Sequence, residues 1–148
     1  MKPTPVRTFA STLGLALLTS AHLVAAHECT LSDAAGKYGY TSSGTIVNPA
    51  VGPFTAVGHV TFTEAGTLSG AQTTSIAGNL IEETFQATFT VNPDCTGSAT
   101  VHVYHGMTLA RTSLLHLVWD IHQNEFRAIF LTAGTNISIQ GRRMAEED

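Results

Sequence analysis

The chain is poor in charged residues, and this shortage restricts what it can bind. Asp, Glu, Lys and Arg make up 12% of its 148 residues, about half of the roughly 25% that is usual in soluble domains. Its 7 basic residues are outnumbered by 11 acidic ones, which gives a formal net charge of −4. Because no basic stripe runs through the sequence, neither nucleic acid nor an anionic lipid surface is an expected partner.

The motifs of the common catalytic classes are also missing. There is no GxSxG, no phosphate-binding or dinucleotide-binding glycine loop and no CxxC, so hydrolases with a nucleophile elbow, nucleotide enzymes and thioredoxin-like proteins lack support. Glu82 and Glu83 are adjacent carboxylates, but neighbouring residues of a strand point to opposite faces and do not flank one bond. We therefore expect a protein without catalysis, and keep an enzyme as an alternative.

Long hydrophobic runs are absent except at the N-terminus. Lys2 and Arg7 precede the apolar stretch Phe9–Leu18. Further on, Val24-Ala25-Ala26 supplies the small residues of a cleavage site. This arrangement predicts a secretory signal peptide over residues 1–26 and a secreted or periplasmic product. The stretch is too short and too polar for a good membrane span, so no span is expected after cleavage. An uncleaved N-terminal anchor is the alternative.

Cysteine is scarce, with Cys29 and Cys95 as the two examples. In an oxidising compartment such a pair indicates one disulfide bond. The bond would fasten the new N-terminus to the turn at Asn92–Thr96. A pair of free thiols or a metal pair is the alternative, with less support because no spaced His pair lies nearby.

Turn residues, by contrast, recur at nearly even spacing from Gly36 to Arg143. Between them, short runs alternate apolar and polar residues. The clearest is Ile81–Val91, where Glu83 alone interrupts the apolar row. This period of two predicts an all-β fold of about eight antiparallel strands, an up-and-down meander closing into a barrel, with a two-sheet sandwich as the alternative.

Residues 27–148 are expected to form this single barrel domain, with a charged tail from Arg142. Gly70, inside the third strand, predicts a bulge or a sharp bend. The predicted strands are Gly36–Tyr40 with a broken continuation to Val47, then Ala56–Thr63, Thr67–Ile76, Ile81–Val91, Gly97–His105, Ser113–Ile121, Glu125–Thr132 and Asn136–Gly141. Met107–Thr112 is predicted to be a connection.

The strands Ser113–Ile121 and Glu125–Thr132 are apolar on both faces. A strand of a barrel needs one apolar face for the interior, so the second face requires its own explanation. Either a second copy of the chain covers it, giving a homo-oligomer, or the N-terminal segment does.

Several segments together resemble a group of small exported bacterial proteins of unknown function. They are the YGY strand at Tyr38-Gly39-Tyr40, an F-x-x-x-G-x-L-x-G hairpin from Phe62 to Gly70, and the turn Val91-Asn92-Pro93-Asp94-Cys95-Thr96-Gly97. The resemblance covers nearly the whole exported part of the chain. It implies an exported β domain with a Cys29–Cys95 bridge, and it carries no assigned catalytic residue.

Histidines are the one compositional feature that suggests a specific chemistry. Six follow the predicted cleavage site: His27, His59, His102, His105, His116 and His122. Cleavage after Ala26 would make His27 the N-terminal residue, whose amine and ring nitrogens suit copper(II), with a second histidine completing the site. We therefore expect no cofactor, with copper as the alternative.

The leading functional hypothesis is a small-ligand-binding or interaction module with an apolar ligand. Tyr104, His116 and Trp119 are the predicted ligand-binding residues, because they lie on neighbouring strands of the predicted barrel. A barrel isomerase or cyclase with an apolar cavity is a further alternative. It would need a buried carboxylate or tyrosine with a shifted pKa.

Overall fold

The computed structural model describes residues 27–48 and 51–145. Each strand pairs antiparallel with the next, and the last pairs with the first, which closes the sheet into a barrel. The predicted all-β up-and-down barrel is confirmed, and the two-sheet sandwich is not the fold. The predicted signal peptide, residues 1–26, and the end of the predicted tail, residues 146–148, lie outside the described residues.

The elements are α1 (Leu31–Ala34), β1 (Gly36–Ile46), β2 (Gly52–Phe62), β3 (Thr67–Ile76), β4 (Asn79–Phe89), β5 (Thr96–His105), β6 (Thr108–Asp120), β7 (Glu125–Phe130) and β8 (Thr135–Arg143).

Several strand limits differ from the prediction, among them the start of β2, at Gly52 instead of Ala56, and the end of β7, at Phe130 instead of Thr132. β1 runs without a break to Ile46, paired with β2 along its length. β6 begins at Thr108, inside the predicted connection Met107–Thr112, and β8 continues past Gly141 to Arg143. The end of β1 pairs with both β2 and β8, and the start of β6 pairs with β5. This pairing outweighs polar or charged local composition.

Gly70 does not form the predicted bulge, because β3 pairs regularly with β2 and β4 around it. The glycine instead allows close packing. A Cβ atom at Gly70 would lie 2.4 Å from Cζ of Phe85 and 2.1 Å from the carbonyl oxygen of His59. The pairing of β5 with β6 does shift register, between Val103 and Tyr104. This irregularity lies beside the site described below.

One end of the barrel is filled by aromatic rings. The ring of Phe62 meets those of Tyr38, Phe89, Trp119 and Phe126 edge to face, with centroids 5.0 to 5.9 Å apart. Such contacts contribute about 0.5–1.5 kcal/mol each beyond the burial of area. All five side chains are buried, so this end of the interior is solid.

The N-terminal segment caps that end. Cys29 and Cys95 form the predicted disulfide, with Cα atoms 5.0 Å apart, and the Cys29 amide donates to the carbonyl oxygen of Pro93 at 3.0 Å. α1 then brings Ala34 to the rings, where its carbonyl oxygen accepts a 3.2 Å hydrogen bond from the Tyr38 hydroxyl. We call this the capped end.

The opposite, uncapped end carries the turns that join β1 to β2, β3 to β4, β5 to β6 and β7 to β8, because successive strands are antiparallel. A second and smaller apolar cluster lies there, formed by Phe54 and Ala56 of β2 with Ile137 of β8. Between the two clusters, on the side of β3 to β6, a group of polar side chains points into the otherwise apolar interior: Gln72, Thr74, Glu83 and Arg111.

The outer surface of β6 and β7 stays apolar, as predicted for these strands. Leu114, Val118, Ile129 and Leu131 point outward and are 45% to 54% exposed. Of the N-terminal segment, the described residues 27–35 lie at the capped end, so these residues do not explain the second apolar face. Association of two copies through these residues stays a prediction.

Candidate functional site

A buried glutamate lies on the inner face of β4. Phe85, Ala87 and Phe89 point into the barrel at every second position, and Glu83 continues the series toward the uncapped end. The Glu83 side chain has no exposed area. Burying a carboxylate is costly unless it is paired and hydrogen-bonded, so its partners define the site.

Four side chains hold the two oxygens of this carboxylate. Arg111 of β6 makes a bidentate pair, with Nη1 on Oε1 and Nη2 on Oε2, the latter at 2.8 Å. His105 Nε2 lies 2.9 Å from Oε1. Gln72 and Thr74 of β3 donate to Oε2 at 2.6 Å and 2.8 Å. Side chains from β3 on one side of β4, and from β5 and β6 on the other side, therefore meet at one carboxylate.

The same contacts keep Glu83 ionised. Burial raises the pKa of this carboxyl, but hydrogen bonds from Arg111, His105 and Gln72 outweigh burial and lower the pKa from 4.5 to about 2. The carboxylate is negatively charged at neutral pH, and the guanidinium beside it neutralises that charge.

Tyr40 extends the network toward β1. Its hydroxyl donates a 2.6 Å hydrogen bond to Oε1 of Gln72, whose amide nitrogen is in turn committed to Glu83. Burial, and then the charge of Glu83, raise the pKa of the Tyr40 hydroxyl. This phenol therefore stays protonated and acts as a hydrogen-bond donor.

A cavity of about 60 Å³ lies next to the network, inside the barrel. Its polar lining comes from Tyr40, Ser42, Gln72, Arg111 and Ser113, and hydrocarbon and aromatic side chains form the rest of the wall. The Arg111 side chain, which belongs to this lining, is 29% exposed.

Ser42 is the unusual member of this lining. The residue is 3% exposed, and its hydroxyl oxygen has no hydrogen-bond partner among the described residues. A buried hydroxyl without a partner costs about 1–3 kcal/mol. Such a group is rare in folded proteins and calls for a partner within the cavity.

The predicted ligand residues Tyr104, His116 and Trp119 do not share a site. Inward positions on β5 and β6 carry odd numbers, so Tyr104 and His116 point outward. Tyr104 accepts a 3.1 Å hydrogen bond from Gln86 on the outer surface. Trp119 points inward but belongs to the aromatic cluster at the capped end, far along the strand from Arg111.

The histidines are dispersed. His27 is 55% exposed and its Nε2 lies 3.2 Å from Asp33 Oδ1, while His102 contacts the Thr112 hydroxyl on the outer surface. Within residues 27–48 and 51–145, no group of three His, Cys, Asp or Glu side chains is arranged to hold a metal ion. Copper binding at His27 stays a prediction.

Sequence reasoning missed Arg111 and His105 as partners of Glu83. A signal for Glu83 itself was present, because it is the one charged residue in the apolar row of β4. Arg111 lies in the segment Met107–Thr112, which the sequence predicts to be a connection, so nothing in the sequence indicates that its side chain points into the barrel.

The fold and site together define a closed eight-stranded β-barrel with an internal cavity and a buried ion pair. A scan against protein-family models matches no family, and a search of curated proteins finds no relative. In the part of the chain that the structure describes, no helix has the length and apolar character to cross a membrane.

Proposed function

We propose that this protein is an exported barrel that binds a small, mainly apolar molecule inside its cavity and does not transform it chemically. The observation that carries the proposal is an interior space lined by hydrocarbon side chains and a few polar groups. Ligand sites commonly combine an apolar wall with a small number of placed polar groups. An eight-stranded barrel is also the size at which the interior either fills with side chains or holds one small ligand.

The cavity volume of about 60 Å³ limits the size of the ligand. One water molecule needs about 10–15 Å³ of such space, and an engineered cavity of about 150 Å³ holds benzene. The expected ligand is therefore a short chain with fewer non-hydrogen atoms than benzene, or a longer molecule with one part outside the cavity.

Binding is favoured over catalysis because the two buried groups with shifted pKa values, Glu83 and Tyr40, suit neither a base nor a nucleophile. A general base works best with a pKa near the working pH, whereas the pKa of Glu83 is lowered to about 2 and the carboxylate is held by four side chains. The pKa of Tyr40 is raised, which makes the phenolate harder to form. The isomerase or cyclase alternative loses support for this reason.

Export is supported by the Cys29–Cys95 disulfide, since disulfides persist in oxidising compartments such as the periplasm and the cell exterior. The predicted signal peptide over residues 1–26 points the same way. The localisation we propose is therefore secreted or periplasmic.

The test uses n-pentane as an apolar probe and methyl NMR of the exported protein. We expect saturable shifts of the methyl groups of Val101, Leu115 and Leu117, which face the cavity. Val101→Phe should fill the cavity and abolish these shifts. The matched control is Val118→Phe, the same substitution on the outer surface, where valine is 45% exposed.

Two results would overturn the proposal. One is an absence of saturable shifts at the cavity methyl groups. The other is equal binding by the wild type and by a folded Val101→Phe variant, which would place the probe elsewhere on the protein.

A further inference from the structure

We propose that the cavity selects an uncharged short-chain molecule with one hydroxyl or amide group, and that this group hydrogen-bonds to the side chain of Ser42. The inference rests on the proposed ligand-binding function and names the chemical class of the ligand. Three features of the interior lead to it. The Ser42 hydroxyl has no partner, the charge of Arg111 is neutralised by Glu83, and most of the remaining cavity wall is apolar.

Ser42 supplies the hydrogen bond. Its neighbours across the sheet are Ala56 on β2 and Ile139 on β8, and neither side chain has a polar atom to offer. The Ser42 hydroxyl is nonetheless buried and lines the cavity. Because a serine hydroxyl both donates and accepts, a ligand hydroxyl or amide placed in the cavity would complete its hydrogen bonding.

The ion pair makes a charged ligand unsuitable. Arg111 is the charged side chain in the cavity lining, and both of its terminal nitrogens already bond to Glu83. A ligand carboxylate would have to compete with Glu83 for Arg111, and a ligand cation would lie beside the guanidinium. Breaking or crowding a buried pair in either way is strongly unfavourable.

Apart from Ser113 and the polar groups already bonded to one another, the remaining wall is hydrocarbon and aromatic, which favours a ligand whose other part is hydrocarbon. Leu115, Leu117 and Phe126 line the deeper part, toward the aromatic cluster of the capped end. A second polar group placed against these side chains would lose its hydration without gaining a partner. The ligand therefore carries its single polar group at one end.

A panel of compounds with equal numbers of non-hydrogen atoms tests this selection: n-pentane, 1-butanol, propionamide, propionate and n-butylammonium. Dissociation constants come from titrations at pH 7 followed by the methyl resonances of the cavity. We expect 1-butanol and propionamide to bind measurably, and propionate and n-butylammonium to bind at least about ten-fold more weakly.

Ser42→Ala separates the hydrogen bond from the rest of the site. Loss of one hydrogen bond should weaken 1-butanol binding about two- to ten-fold, while n-pentane binding stays the same or improves. Ser43→Ala is the matched control, because Ser43 is the next residue of β1 and points outward. It should leave every constant unchanged.

The outcomes separate the two proposals. If pentane binds in the cavity but Ser42→Ala does not weaken butanol, the ligand class is wrong and the binding function stands. Tighter binding of propionate or n-butylammonium than of butanol also overturns the inference. If no compound of the panel shifts the cavity methyl groups, the proposed function itself fails.

Discussion

Replacing Arg111 by methionine should destabilise the protein by about 3 kcal/mol at pH 7. The substitution leaves a carboxylate with no exposed area facing His105, Gln72 and Thr74 without its cationic partner. Breaking a buried pair from one side costs about 3–5 kcal/mol. The lowering of the Glu83 pKa from 4.5 to about 2 corresponds to about 3 kcal/mol on the scale of 1.36 kcal/mol per pKa unit.

The pH dependence of this loss follows from the direction of the shift. A carboxyl whose pKa is lowered in the folded state stabilises the protein above its unfolded pKa, near 4.5, and the contribution disappears as pH falls through about 2. The difference in unfolding free energy between wild type and Arg111→Met should therefore shrink as the pH falls from 5 toward about 2.

Urea unfolding measured by tryptophan fluorescence gives both quantities, because the chain has a single tryptophan and Trp119 is buried in the core. Adding Glu83→Gln to Arg111→Met should recover stability at pH 7, since it removes the buried charge. Arg127→Met is the control: Arg127 is 70% exposed, and its loss should cost less than about 1 kcal/mol. A difference below about 1 kcal/mol for Arg111→Met, or one that persists unchanged at pH 2, would refute the reasoning.

Three further predictions concern other parts of the chain. Replacing Cys29 and Cys95 by serine should lower the free energy of unfolding by up to about 4 kcal/mol, because the disulfide bond joins residues 66 positions apart. Urea unfolding measures this loss of stability. A loss below about 1 kcal/mol would contradict the chain-entropy argument. Ser42→Ala should raise the unfolding free energy by about 1 kcal/mol while Ser43→Ala leaves it unchanged, and a destabilised Ser42→Ala would mean that the hydroxyl has a partner. If cleavage makes His27 the N-terminus, the exported chain should bind copper(II) more tightly than His27→Ala in a calorimetric titration, and equal affinities would count against copper.

The barrel could be predicted from the sequence because alternation and turn spacing act over short distances. In β4, Phe85, Ala87 and Phe89 alternate with polar residues, and this pattern alone places their side chains inside. The ends of strands were less predictable. β8 reaches Arg143 because Arg143 pairs with Tyr38 of β1, and a pairing between the two ends of a domain leaves no local mark in the sequence.

Only part of the polar site could be predicted from the sequence, for the same reason. Glu83 interrupts an apolar row, which indicates a buried charge that needs a partner. The partner, Arg111, is 28 residues further on and follows the register shift between β5 and β6. Which cation meets the carboxylate depends on that register, and the sequence alone does not determine it.

Tyr104 and His116 show the limit of choosing candidates by chemical type. Both carry groups that often bind ligands, and both lie on strands that contribute to the cavity wall. They point outward because inward positions on β5 and β6 are odd-numbered. The cavity is lined instead by Ser42, a residue that the sequence offers no reason to select among many hydroxyl groups.

A crystal of the exported protein under xenon pressure would test the central claim, that the barrel interior contains a small cavity able to hold a guest. We expect a xenon atom between Ser42 and Leu117, both of which line that space, and no xenon there in crystals of Val101→Phe. An interior without xenon in the wild type, filled by side chains from the aromatic cluster to the uncapped end, would contradict it.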